Sequence, residues 1–160
     1  MKKIFYLFVL ILFSILTIGC QSEDNNNELS WGETAETEIL EITPTDIEIG
    51  TEDNQLPGME VEPNSQVAVI DINLQNTSDF SVAIDRDFYY ASFGIIVDEQ
   101  GIGRMDTNIF PFDGVFLGDL EEGKTVDTRL VIYHSQGEID LVFDFNGDLE
   151  SGYEVRWKID

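Results

Sequence analysis

The chain has 160 residues, with 32 acidic side chains against eight basic ones and a formal net charge of −24. A surface of that sign repels the phosphates of nucleic acid and anionic lipid head groups, which excludes a nucleic-acid partner. A single cysteine excludes any internal disulfide.

Lys2 and Lys3 precede an apolar run from Ile4 to Ile18, interrupted only by Ser14 and Thr17. Its 15 residues fall short of the ~20 that span a bilayer, and match the apolar core of a signal peptide. The run closes on Leu16-Thr17-Ile18-Gly19-Cys20. A small residue before cysteine resembles the lipobox at which a lipoprotein leader is cut, with Thr17 standing where Leu is usual. The expectation is a signal peptide over residues 1–19 and lipidation of Cys20. A diacylglyceryl cysteine there anchors the chain to the cell membrane on its extracytoplasmic face.

After Cys20 the composition turns polar, beginning Gln21-Ser22-Glu23-Asp24-Asn25-Asn26-Asn27-Glu28. Nothing in that stretch can drive burial, so residues 20–35 are expected to form a flexible acidic tether. Without Lys2 and Lys3, six bases face the 32 acids, and no base lies between Cys20 and Asn64.

Residues 36–160 are long enough for one domain with one core. Their dominant pattern is alternation at period two, the mark of half-buried antiparallel strands. Weak strands are expected at Glu38–Ile42, Ile47–Ile49, Phe80–Ile84 and Val115–Leu117. Ala68, Ile70, Ile72 and Leu74 share one face of a strong strand, with Asp71, Asn73 and Gln75 opposite. Tyr89, Ala91, Phe93, Ile95 and Val97 follow the same rule. Val126, Thr128, Leu130 and Ile132 continue it, as do Ile139, Leu141, Phe143 and Phe145. In the last strand Tyr153, Val155, Trp157 and Ile159 point inward, while Glu154, Arg156 and Lys158 point outward. Turn-forming residues separate these runs at Asn76-Thr77-Ser78-Asp79, Asp98-Glu99-Gln100-Gly101, Glu121-Glu122-Gly123 and Asn146-Gly147. The spacing argues for an all-β fold, an immunoglobulin-like antiparallel β-sandwich of about 7–8 strands.

Four stretches then resemble a known family. They are Val67–Ser78, a strand closing on Asn-Thr; Phe93–Gly101, a strand ending in an acidic-glycine turn; Leu117–Thr125 leading into Leu130-Val131-Ile132-Tyr133; and Ile139–Phe143. The succession resembles the extracellular immunoglobulin-like domain of unknown function found in many bacterial and archaeal lipoproteins. That family is similar in fold to a secreted mycobacterial immunoprotective antigen. The resemblance covers roughly residues 36–160. Glu122 replaces the Pro often found before the turn glycine, and Ile132-Tyr133-His134 replaces a Phe-containing stretch. The resemblance implies a fold and an extracellular location, and brings no catalytic residue.

The residues themselves assemble no catalytic site. His134 is the only histidine, no G-x-S-x-G elbow is present, and a cysteine nucleophile is excluded if Cys20 is acylated rather than bridged to another chain or free. His134, at the end of a strand, is expected at the surface or in a turn. One histidine and no spare thiol leave no zinc set, so no metal site and no cofactor are assigned. Calcium is the alternative reading, since Asp144, Asn146, Asp148 and Glu150 alternate as calcium-loop ligands do. Leu149 and Val155 occupy the positions where an EF-hand needs Gly and Glu. Asp85 and Asp87 form a second small acidic group around Arg86. A candidate partner-binding loop runs through Phe110, Phe112 and Phe116, interrupted by Pro111 and Gly114. The competing expectation buries these rings between the sheets. The chain is therefore read as a lipid-anchored, non-enzymatic binding or interaction module of unknown ligand, with a protein as the candidate partner. A calcium-dependent surface domain and a structural envelope lipoprotein without a ligand are the alternatives.

Overall fold

The computed structural model describes residues 27–104, 113–145, 149 and 154–159. Eleven strands and one helix lie among them. Seven strands carry most of the pairing: β3 (Leu40–Thr51), β4 (Ser65–Asn76), β6 (Phe93–Val97), β7 (Gln100–Arg104), β9 (Thr125–Ser135), β10 (Ile139–Phe143) and β11 (Val155–Lys158). The short strands β1 (Asn27–Ser30), β2 (Ala35–Glu36), β5 (Val82–Ile84) and β8 (Gly118–Leu120) complete the set.

A five-stranded sheet, ordered β1-β11-β10-β6-β7, faces a four-stranded sheet, ordered β2-β3-β4-β9, while β5 and β8 pair beside them. The sandwich is antiparallel throughout except for β1, which runs parallel to β11. Its core is built from the inward phase of each alternation. Leu40, Ile42, Ile70, Ile72 and Leu74 from one sheet meet Phe93, Ile95, Leu141, Phe143 and Trp157 from the other, all essentially unexposed. Removing a ring the size of Trp157 from water is worth about 4–6 kcal/mol of gross burial.

Four expectations from the sequence change here. The segment assigned to the tether contains β1 and the first residue of β2. Leu29 and Trp31 pack against the core and Ala35 is buried in it, so the ordered domain begins at least as early as Asn27. The run from Tyr89 does not start a strand, because α1 (Arg86–Ser92) occupies its first half. Asp85 caps that helix by accepting the Phe88 amide at 2.8 Å, and the strand begins only at Phe93. Phe145, expected to continue the inward face of β10, lies beyond the strand's last residue and is 37% exposed. The weak strand expected at Val115–Leu117 forms three residues later, as β8.

A second, smaller apolar cluster covers the outer face of the four-stranded sheet. Val67, Val69 and Val131 point away from the main core and are buried under Val61, Leu56 and Met59. The loop between β3 and β4 therefore acts as a lid of side chains on that sheet.

Candidate functional site

The pairing register defines two ends of the sandwich. Asn27 sits opposite Val155, and Val155 opposite Phe143. Phe143 pairs with Phe93. In the other sheet Leu40 pairs with Asn76. β9 and β10 are joined by a three-residue turn at the opposite end, beyond Ser135. The near end thus gathers Asn27, Leu40, Asn76, Phe93, Phe143 and Val155. The far end gathers Ser30, Thr51, Ser65, Ser135, Ile139 and Lys158.

Aromatic rings run from the core to the surface at the near end. Phe93 and Phe143 lie 4.9 Å apart between centroids. Phe88 of α1 stands edge-on to Phe93 at 5.9 Å and reaches Phe145 at 6.5 Å. A groove of about 330 Å³ opens beside Phe145, lined also by Thr37, Glu38, Ile39 and Glu154. The helix is held by Tyr89, whose hydroxyl lies 2.8 Å from the Phe116 carbonyl oxygen and 2.7 Å from Thr128 Oγ1. Burial pushes the Tyr89 phenol up to about 12, against the opposing effect of its hydrogen bond with Thr128.

The loop after β4 is fixed by Asn76, which is fully buried. Its Nδ2 donates to the carbonyl oxygens of Phe80 at 2.7 Å and Leu120 at 2.8 Å. Its Oδ1 accepts from the Ser78 amide at 2.9 Å and the Ser78 hydroxyl at 2.7 Å. Every hydrogen-bonding direction of the amide is used, and the Phe80 main chain is held at the near end as a result.

The far half of the five-stranded sheet carries an ionic cluster on its outer face. Arg156 is 6% exposed. Its Nε donates to Asp140 Oδ2 at 2.8 Å and its Nη2 pairs with Glu99 at 2.5 Å. Lys158 stands 3.3 Å from the same Asp140 oxygen. Hydrogen bonding from Arg156 holds the Glu99 carboxyl below its ordinary value. A cleft of about 210 Å³ lies here, with Ile96 and Ile159 among its walls and Asp98 and Glu138 joining the charged groups.

His134 is 8% exposed, which corrects the expectation of a surface or turn position. It continues the inward phase of Thr128, Leu130 and Ile132, so the strand carries it between the sheets. Nδ1 lies 2.6 Å from the Ser135 carbonyl oxygen, and Nε2 is buried with no hydrogen-bond partner among the described residues. Burial lowers its pKa.

The partner-loop residues Phe110 and Phe112 lie outside the described residues, as does Cys20. Phe116 is half-buried and packs against the core. Its amide donates to Thr128 Oγ1 at 2.9 Å. Of the calcium candidates, Asn146, Asp148 and Glu150 lie outside the described residues, and Asp144 is buried with its amide donating to the Ser92 carbonyl oxygen at 2.9 Å. Asp85 is occupied as a helix cap and Asp87 sits in the helix's first turn. Among the described residues no group of three or more His, Cys, Asp or Glu side chains could hold a metal ion. No described helix is long and apolar enough to cross a membrane.

No family model matches the chain, and no curated protein matches it by sequence. Solved structures do match its fold. A secreted protein of Mycobacterium tuberculosis, MPT63, superposes with a TM-score of 0.58 at 12% identity, over 84% of this chain and 98% of that one. An uncharacterized β-sandwich protein of Clostridium difficile gives 0.52 at 15% identity, over 84% and 95%. A protein of Staphylococcus aureus described as a candidate lipoprotein gives 0.50 at 11% identity, over 80% and 88%. At these identities the likeness shows a shared β-sandwich fold.

Proposed function

We propose that the chain is a lipid-anchored extracytoplasmic lipoprotein whose β-sandwich serves as a non-enzymatic binding module. The observation that carries this is the position of Cys20. It closes a short apolar leader behind two lysines, and only six residues separate it from the first described strand. In this reading residues 1–19 are removed, Cys20 carries the diacylglyceryl group, and the sandwich is displayed beside the membrane. Neighbours of the same fold that are secreted, or described as candidate lipoproteins, support the location. The exposed rings of the near end, with the groove beside Phe145, supply the contact surface of that module.

The test is fractionation of cells expressing the wild-type chain and Cys20→Ser, with mass analysis of the mature N-terminus. The expected result is a diacylglyceryl-modified Cys20 and a membrane-bound wild type, with loss of the lipid and of mature membrane-bound protein in the variant. An unmodified Cys20 in the wild type removes the anchor from this reading.

A further inference from the structure

We propose that the near end of the sandwich seats against the head-group layer of the bilayer that holds the anchor. The inference rests on lipidation of Cys20 and names the surface that such an anchor would bring to the lipid.

Four large apolar side chains stand exposed among the described residues: Phe80 at 54%, Tyr90 at 47%, Leu117 at 43% and Phe145 at 37%. Three of the four belong to the near end. Phe145 follows Phe143, which shares a register line with Asn27. The Phe80 main chain is tied to Asn76, whose strand partner is Leu40. Tyr90 lies in the helix that leads into Phe93, the strand partner of Phe143.

The chain outside the structure decides which end meets the lipid. Asn27 is the seventh residue after Cys20, so the connection spans at most about 25 Å fully extended. A strand of 12 residues such as β4 is about 40 Å long. The link is thus shorter than the domain, and its attachment point is on the near end. Aromatic side chains suit that position, because their rings prefer the boundary between head groups and acyl chains.

Charge opposes the contact. Glu38 and Glu154 line the groove, and Asp79, Glu121 and Glu122 lie beside the Asn76 loop with Lys124 as a base among them, so the acids outnumber the base and repel anionic head groups at close range. Three half-exposed rings do not overcome that repulsion from free solution. The anchor changes the balance by making the encounter intramolecular, at high effective concentration. The contact is therefore dependent on lipidation, and firmer on zwitterionic than on anionic membranes.

The test uses the full lipidated chain reconstituted in phosphatidylcholine vesicles, with a polarity-sensitive nitrobenzoxadiazole label on one introduced thiol at a time. The acylated Cys20 does not react, so each label has a single site. Phe80→Cys and Phe145→Cys report the near end, and Gln136→Cys reports the far end. The expected result is blue-shifted emission, quenched by brominated lipid, at positions 80 and 145 and not at 136. Adding phosphatidylglycerol should weaken it, and salt should restore it. Water-like emission at all three sites of a vesicle-bound chain overturns the seating while leaving the anchor intact. Water-like emission in pure lipid with blue-shifted emission in native membranes assigns the surface to a membrane protein and overturns the lipid assignment. A chain that carries no lipid on Cys20 removes both.

Discussion

The indole nitrogen of Trp157, in the last strand, donates to the carbonyl oxygen of Glu33 at 2.8 Å. That bond joins residues 124 apart in sequence and fastens the segment between β1 and β2 onto the sandwich. Trp157→Phe removes the donor and part of a buried ring. The expected loss is about 2 kcal/mol of stability, read from urea unfolding. A loss below a few tenths would mean that the N-terminal segment is docked by packing alone.

Asn76 is the most heavily used polar side chain among the described residues of the near end. Asn76→Ala strands the Leu120 carbonyl oxygen and the Ser78 amide without their partner. It should cost about 2–4 kcal/mol, against about 1 kcal/mol or less for Asn73→Ala, whose single exposed bond goes to Asp127. Equal costs at the two positions would refute the latch.

Arg156 is enclosed although it points to the outer face of its sheet. Arg156→Met leaves the Asp140 carboxylate, only 14% exposed, with Lys158 as its remaining base among the described residues. The expected cost is about 3 kcal/mol, and Arg156→Met combined with Asp140→Leu should recover most of it. The Glu99 carboxyl gives an independent readout by NMR titration, since its pKa should rise toward 4.5 in the single variant.

His134 sets an acid sensitivity. Its pKa in the fold lies below the ordinary 6.5, so the unfolded chain binds the proton first as pH falls. The neutral ring's contribution is complete above about 6.5 and is lost as pH descends toward the folded value. Urea melts at about pH 7.5 and about pH 5 should show a larger loss for the wild type than for His134→Phe. Parallel losses would leave the carboxylates alone responsible.

Calcium and magnesium should raise the melting temperature equally at matched ionic strength, through relief of repulsion among the acids. A rise specific to calcium would signal binding to the folded state and restore the calcium reading through residues 144–150.

Strand identity was legible wherever one face of a strand is dry and the other wet. Along β4 and β9, Ile70, Ile72, Leu130 and Ile132 alternate with Asp71, Asn73 and Arg129, and the register places Asp71 opposite Arg129 with a bond of 2.6 Å between them. The helix was hidden because Tyr89, Ala91 and Phe93 keep a period of two across the boundary. At seven residues it is too short to show a period of its own, and the Asp85 cap was its best sign. The early strands were masked by the acidic composition of residues 20–35, although Leu29, Trp31 and Ala35 interrupt it with groups that need burial. The second apolar cluster also had a sign. Val67-Ala68-Val69-Ile70 is apolar in both phases, which marks a strand covered on both faces. The near-end surface was the least legible part. It depends on where β10 stops and on which loops share an end, and neither has a local signature.

The parallel docking of β1 beside β11 determines how the molecule carries load. A pull on the chain ahead of Asn27 acts along the strand axis, so the four residue pairs from Asn27–Val155 to Ser30–Lys158 are sheared together and not unzipped in turn. Tension from the direction of Cys20 meets the whole ladder at once, with Leu29 and Trp31 wedged behind it. With the second handle at the C-terminus, pulling instead from Ser30, which lies opposite Lys158, after cleavage of the following loop should peel the same strand at markedly lower force in a single-molecule experiment. A strand at the margin of its sheet thus serves as a mechanical clamp between the sandwich and whatever holds its N-terminus.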